Sequence, residues 1–297
     1  MTDLPALVTG GAGFIGSHLV DELVARGRRV TVLDDLSTGH RDNLARHAGR
    51  ITFIEGGVED LEACRRACIG MSEIFHLASR VSVVESVASP TLYREVVLGG
   101  TRNMLRAAEA AGARRLVLAS SCSVYGDAAP PISEAASLDP QSPYAAMKAE
   151  AEEACRESSI STVCPRFFNV YGPRQRADSP YSGVIAIFAR MAADSTSPTV
   201  FGDGLQTRDF IHVSDVVRGL RLAVESPNVG RGEPINFGTG TGTTVLELAS
   251  LLGCPEPRFA PSRQGEVRHS AANPARGREL LEFESGVVLE SGLATLG

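Results

Sequence analysis

The run Thr9-Gly10-Gly11-Ala12-Gly13-Phe14-Ile15-Gly16 constrains this chain more than any other stretch. It follows a short apolar segment, Ala6–Thr9, and leads at once into an amphipathic one, Ile15–Arg26. Gly10 permits a tight turn between strand and helix, Gly13 lets backbone approach a ligand, and Gly16 lets the helix pack closely on the strand. The helix N-terminus then offers unpaired N–H groups and the positive end of a dipole, which suits a pyrophosphate. A plain βα turn can use the same residues, so the motif gains weight from its setting between strand and helix. The next apolar segment, Val30–Leu33, runs into Asp34, eighteen residues beyond Gly16. A carboxylate there accepts hydrogen bonds from a ribose 2′-hydroxyl and repels a 2′-phosphate, which favours NAD over NADP.

The same rhythm continues through the first half. Strands are expected at Ala6–Thr9, Val30–Leu33, Ile51–Ile54, Ile74–Leu77, Arg115–Ala119 and Thr162–Cys164, with helices at Ile15–Arg26, Leu61–Cys68, Tyr93–Ala111 and Tyr144–Glu157. Parallel neighbours need crossover connections, so this alternation predicts a Rossmann-type doubly wound α/β fold with helices on both faces of a parallel sheet. Residues 1–166 form the expected dinucleotide domain. Residues 167–297 form a smaller, irregular substrate lobe, with segments such as 205–224 returning to the first domain. In the lobe, helices are expected at Val184–Ala193, Val213–Val224 and Val245–Leu252, and short strands near Val200 and at Pro234–Asn236. Gly99-Gly100 costs a helix about 1 kcal/mol per glycine relative to alanine, which predicts a locally loose long helix. The tail after Glu282 carries no clear pattern.

Composition excludes several classes. The 297 residues carry 29 basic against 35 acidic side chains, a net charge of −6, which argues against a nucleic-acid or anionic-membrane surface. No apolar run approaches the roughly 20 residues of a membrane span. Met1 leads almost directly into the first strand, leaving no room for a signal peptide. The six cysteines form no C-x-x-C pair and have no histidine at zinc spacing, so no metal site is expected. Free thiols fit a reducing, cytoplasmic location.

Chemistry enters with Pro143-Tyr144-Ala145-Ala146-Met147-Lys148, some two dozen residues after Ser120-Ser121-Cys122-Ser123-Val124-Tyr125-Gly126. A free phenol, with a pKa of about 10, is a poor base at neutral pH. A lysine one helical turn away favours the phenolate, and a serine on a strand end can share the proton at a substrate hydroxyl or carbonyl. Tyr-x-x-x-Lys also occurs as an ordinary solvated pair; the glycine turn is what supplies it with a redox partner.

Taken together, Thr9–Gly16, Asp34, Ser121, Tyr144 and Lys148 resemble the extended short-chain dehydrogenase/reductases, nearest to the nucleotide-sugar epimerases and dehydratases and especially the UDP-glucose 4-epimerases. The likeness extends through His76-Leu77-Ala78-Ser79, Ser142-Pro143-Tyr144, Arg166-Phe167-Phe168-Asn169-Val170-Tyr171-Gly172-Pro173, Gly202-Asp203-Gly204, Arg208-Asp209-Phe210-Ile211-His212-Val213 and Asn236-Phe237-Gly238. The resemblance implies that Tyr144 is the base at the sugar 4-hydroxyl, that Lys148 holds the nicotinamide ribose and lowers the Tyr144 pKa, and that Ser121 relays the proton. It implies tightly bound NAD contacted by Gly10, Gly13, Phe14, Ile15, Asp34, Asp35, Ser37, Leu77, Ala78, Ser79, Tyr144, Lys148 and Phe167. For a UDP-sugar it implies Ser82, Ser121, Cys122, Ser123, Tyr144, Asn169, Val200, Arg208, Arg263, Glu266 and Ser270. Arg208 and Arg263 would clamp the diphosphate, as permanently charged forks suit it, and Glu266 would bind the uridine ribose. His76 and His212 are read as structural. A homodimer through the helices at Tyr93–Ala111 and Tyr144–Glu157 is also implied.

Two departures stand out. Gly56-Gly57-Val58 replaces a common aspartate near the adenine, and Glu95-Val96-Val97-Leu98-Gly99 lacks a common asparagine. Family dehydratases place Asp and Glu after the serine, where this chain has Cys122 and Ser123. Serine cannot serve as a C5 base, so a UDP-hexose 4-epimerase is expected. A dehydratase using Cys122 as proton donor is the alternative, and a non-catalytic dinucleotide-binding regulator is a second. The small Ser270 leaves room for an N-acetyl group at C2.

Overall fold

The structure, a computed structural model, describes residues 4–177, 182–262 and 267–296. Its central sheet has seven strands: β1 (Ala6–Thr9), β2 (Val30–Asp34), β3 (Ile51–Glu55), β4 (Glu73–His76), β5 (Arg115–Leu118), β6 (Ser161–Phe167) and β7 (Arg231–Phe237). They lie in the order β7-β6-β5-β4-β1-β2-β3, every pair parallel. The order reverses beside β1, and that reversal opens a crevice at the carboxyl ends of the strands. A two-residue strand, Ser120–Ser121, extends the line of β5 and pairs with Arg166 and Phe167.

Alternation along β1 builds both layers. Leu7 faces one core with Cys64, Met104, Met147 and Ala151, whereas Val8 faces the other with Leu19, Val20, Val216 and Leu220. The first core is covered by α2 (Leu61–Cys68), α3 (Gly100–Ala110) and α4 (Pro143–Arg156); the second by α1 (Phe14–Ala25) and α5 (Val213–Glu225). Helix α4 starts cleanly because the Ser142 side chain accepts from Ala145 N and Pro143 occupies the first turn.

One expectation is corrected. The strand foreseen at Pro234–Asn236 in the irregular lobe spans Arg231–Phe237 and completes the main sheet beside β6. The long helix departs from α geometry next to the glycine pair, where Arg94–Gly99 forms a π-helical turn that runs into α3. Gly100 serves packing there, since a Cβ on it would stand 2.4 Å from Val58 Cγ2.

The second half packs its own small core of Ile185, Phe188, Val200, Phe210 and Leu248. The tail contributes a helix at Leu289–Leu293. Among the described residues no helix is long and apolar enough to cross a membrane, and no group of His, Cys, Asp and Glu could hold a metal ion.

Candidate active site

The crevice at the strand ends holds a cleft of about 450 Å³. Every residue expected to contact the dinucleotide lines it. Gly10 has φ +68°, and a Cβ there would lie 2.8 Å from Ala78 N; a Cβ on Gly16 would lie 2.1 Å from Gly10 O. Only glycine fits either place. Gly13 caps α1 with no side-chain hydrogen bond, which leaves the helix N-terminus open to an anion. Asp34 also shapes the glycine turn, because its carboxylate accepts from Ala12 N at 2.8 Å and Leu36 N at 2.9 Å. Burial pushes its pKa up, against those two bonds. Asp35 turns instead to Ser37, accepting from its N–H and hydroxyl. A bare cradle of this shape, with an open helix terminus beside a carboxylate, fits a dinucleotide.

Tyr144, Lys148 and Ser121 meet at the β5–β6 side of the cleft. The Ser121 hydroxyl lies beside the Tyr144 phenol and favours its ionised form. It is held in place because Ser121 Oγ accepts from Ser123 N at 3.2 Å. Tyr144 is buried, with its ring edge-on to the wholly buried Tyr93 at 6.4 Å between centres. Burial pushes the phenol up to about 12, eased by Ser121. Lys148 Nζ donates to Ala119 O at 2.6 Å and lies 5.9 Å from the centre of the Tyr144 ring. Burial draws Lys148 down to about 8, while Glu152 pulls it upward. Lys148 thus stands near the phenol ring with its ammonium held by a backbone carbonyl.

The sugar-side residues divide into groups. Asn169 lines the cleft and donates from Nδ2 to Asp209 O at 3.3 Å. Cys122, Ser270 and Arg208 come together: Ser270 lies beside the Cys122 thiol, and Arg208 and Asp209 act on it electrostatically. Burial pushes that thiol up to about 12. Ser123 Oγ is buried without a hydrogen-bond partner. Ser82 caps the helix Val83–Ala88, its hydroxyl accepting from Glu85 N. Val200 is fully buried in the second half's core with Phe188 and Leu248 and does not line the cleft. The expectations at Arg263 and Glu266 fall outside the described residues.

Sequence reasoning missed Arg80, Glu59 and Gln175, all of which line the cleft. Arg80 lies 3.3 Å from Glu85, and Gln175 donates from Nε2 to Val170 O at 3.1 Å. A sequence signal for Lys148 was also available: it is the chain's only lysine, among 29 basic residues. Where an always-charged fork would do, the chain uses arginine; its one lysine lines the cleft beside Tyr144 and Ser121.

The NAD dependent epimerase/dehydratase family matches residues 6–238. The chain belongs to this family. It is 40% identical over 304 residues to the UDP-glucose 4-epimerase of Mycolicibacterium smegmatis, spanning 97% of this chain and 96% of that protein. It is 32% identical to a UDP-N-acetyl-alpha-D-glucosaminuronate decarboxylase of Bacillus cytotoxicus, spanning 97% and 94%. The crystal structure of UDP-glucose 4-epimerase from Thermotoga maritima with UDP-glucose matches with a TM-score of 0.91 at 37% identity, covering 98% of this chain and 96% of that one. The family member described here is thus an NAD-dependent enzyme of the nucleotide-sugar epimerase, dehydratase and decarboxylase group.

Proposed function

We propose that the protein interconverts UDP-hexoses at C4, oxidising the carbon to a transient ketone and reducing it on the opposite face. One observation carries this reading: among the described residues, no carboxylate lines the side of the cleft around Ser121 and Tyr144. The acids that line the cleft, Asp34, Asp35 and Glu59, follow β2 and β3, across β1 and β4 from the reaction centre. Dehydration needs a base for the C5 proton and an acid for the leaving hydroxyl. Ser123 cannot be that base. Cys122 is a poor acid, because its thiol is pushed up to about 12 and it does not line the cleft.

Bound NAD would supply the hydride acceptor and a further positive charge beside the phenol. The remaining work falls to side chains. Tyr144 Oη takes the proton from the 4-hydroxyl as the ketone forms and gives it back on reduction. Ser121 Oγ, fixed by Ser123 N, bridges that oxygen and the phenol. Lys148, anchored on Ala119 O, stands on the cofactor side of Tyr144 with donors left for a ribose. Intact reactive groups in one lined cleft speak against a purely regulatory role.

The test is a set of incubations of the NAD-loaded protein with UDP-glucose, UDP-N-acetylglucosamine and UDP-glucuronate, followed by proton NMR. Appearance of the 4-epimer of one of them supports the proposal. A 4-keto-6-deoxy sugar, an alkene, or release of carbon dioxide without any 4-epimer removes it.

A further inference from the structure

Three consecutive residues on the strand end meet three successive turns of α4. Ala119 O accepts from Lys148 Nζ at 2.6 Å. Ser120 Oγ donates to Glu152 Oε1 at 2.5 Å. The Ser121 hydroxyl lies beside the Tyr144 phenol. Tyr144, Lys148 and Glu152 are spaced at i, i+4 and i+8, so they stack along one face of the helix. All three are buried, Glu152 with 1% of its surface exposed.

We propose that Glu152 is a positioning residue of this site, holding Ser120 and thereby setting the register in which Ala119 meets Lys148 and Ser121 meets Tyr144. The inference rests on the reading of Ser121, Tyr144 and Lys148 as the reaction centre.

Glu152 is equipped for this. Arg166 donates to it twice, from Nε at 2.9 Å and Nη2 at 2.5 Å, and Arg166 in turn lies over the Tyr125 ring at 4.7 Å. A bidentate arginine neutralises the buried carboxylate and fixes its plane, so the remaining lone pair on Oε1 faces Ser120 in one direction only. Arg166 and Phe167 are the residues that pair with Ser120 and Ser121 across the sheet. The carboxylate therefore ties helix, strand end and neighbouring strand at one point. Backbone pairing by itself leaves the strand end free to shift relative to the helix. A misplacement near 1 Å is enough to cost roughly 100-fold in rate.

Glu152 also sets the electrostatics of Lys148. The groups facing that ammonium are Tyr144, Glu152 and Cys155 on α4, Cys164 on β6 and His76 on β4. Glu152 is the ordinarily charged one among them, and it favours the protonated amine.

Because the chain has a single lysine, [ε-13C]lysine labelling gives one side-chain resonance, whose titration reports Lys148 directly. The experiment compares native protein, Glu152→Gln, Ser120→Ala, Ser120→Thr and Tyr144→Phe, each loaded with NAD, by this titration and by turnover of UDP-glucose. Glu152→Gln is expected to lower the Lys148 pKa by about one unit. It should cut kcat at least about 10-fold with KM within about 3-fold, since the contact acts on the transition state and not on substrate binding. Ser120→Ala should lower kcat about 10-fold and leave the lysine titration in place, and Ser120→Thr, which keeps the hydroxyl, should restore kcat. If Glu152→Gln does not fold, the neutral pair Glu152→Gln/Arg166→Met replaces it, with the same kcat loss expected. An unmoved lysine titration in Glu152→Gln, or kcat within about twofold of native in Ser120→Ala, overturns the proposal. Retained turnover in Tyr144→Phe instead overturns the assignment of the reaction centre, whatever Glu152 does.

Discussion

Lys148 and Tyr144 lie one helical turn apart, yet the lysine's Nζ is bound to Ala119 O at 2.6 Å and the phenol lies beside the Ser121 hydroxyl. Each reactive group is thus placed against the Ala119–Ser121 strand end. Burial pushes the phenol up to about 12 and draws the amine down to about 8.

The first prediction follows from that. Tyr144→Phe keeps the buried ring and its edge contact with Tyr93, and removes only the oxygen. Turnover should fall by about 100- to 10,000-fold, the usual range for losing a general acid–base. NAD should remain bound in the purified variant, as read by absorbance after denaturation.

Lys148→Met should separate stability from activity. The native lysine has a folded pKa near 8 against an unfolded value of 10.5, so the unfolded chain holds more protons between those values. Native stability therefore rises with pH across that window, and below it carries a fixed cost of roughly 3 kcal/mol. Leaving Ala119 O without its donor takes back about 1–2 kcal/mol of the gain. The variant should be more stable than native at pH 7 by about 1–2 kcal/mol, with the gap closing and then reversing toward pH 10.5. Denaturant melts at pH 7 and pH 10 check the sign; turnover should be lost at both.

Gly16→Ala should abolish cofactor binding. A methyl group 2.1 Å from Gly10 O cannot be accommodated by moving a side chain, since the obstacle is the turn itself. A fluorescence titration should show NAD affinity down by at least about 100-fold, with any surviving fold shown by circular dichroism.

Cys122→Ala tests the route not taken. If the thiol donates no proton, the variant should keep kcat within about threefold, because it loses a small, partly exposed group beside Ser270 and nothing from the reaction centre. Loss of about 100-fold would revive a dehydration in which Cys122 is the acid.

Much of the fold was legible because local chemistry and long-range packing agree in the first half. The turn at Gly10–Gly16 and the buried runs at Leu7 and Ile74 each imply one partner, and the parallel sheet follows. Strand β7 was harder to place. Its sequence, Arg-Gly-Glu-Pro-Ile-Asn-Phe, has no clear alternation, and its pairing with β6 depends on the path of α5 across the sheet. Val200 lies in a short strand whose side-chain direction is set by the lobe's own core. Glu152 could not be found by spacing, since its partners Ser120 and Arg166 lie 32 and 14 residues away on separate strands. Lys148 could have been singled out by counting.

The most direct measurement follows the isotope on the reacting carbon. The NAD-loaded protein is given UDP-[4-2H]glucose, and the product is isolated and read by deuterium NMR. UDP-galactose with deuterium retained at C4 is expected, because oxidation and reduction take place at the same carbon. Deuterium recovered at C6 of a 4-keto-6-deoxy sugar, with none in a C4 epimer, would contradict a 4-epimerase.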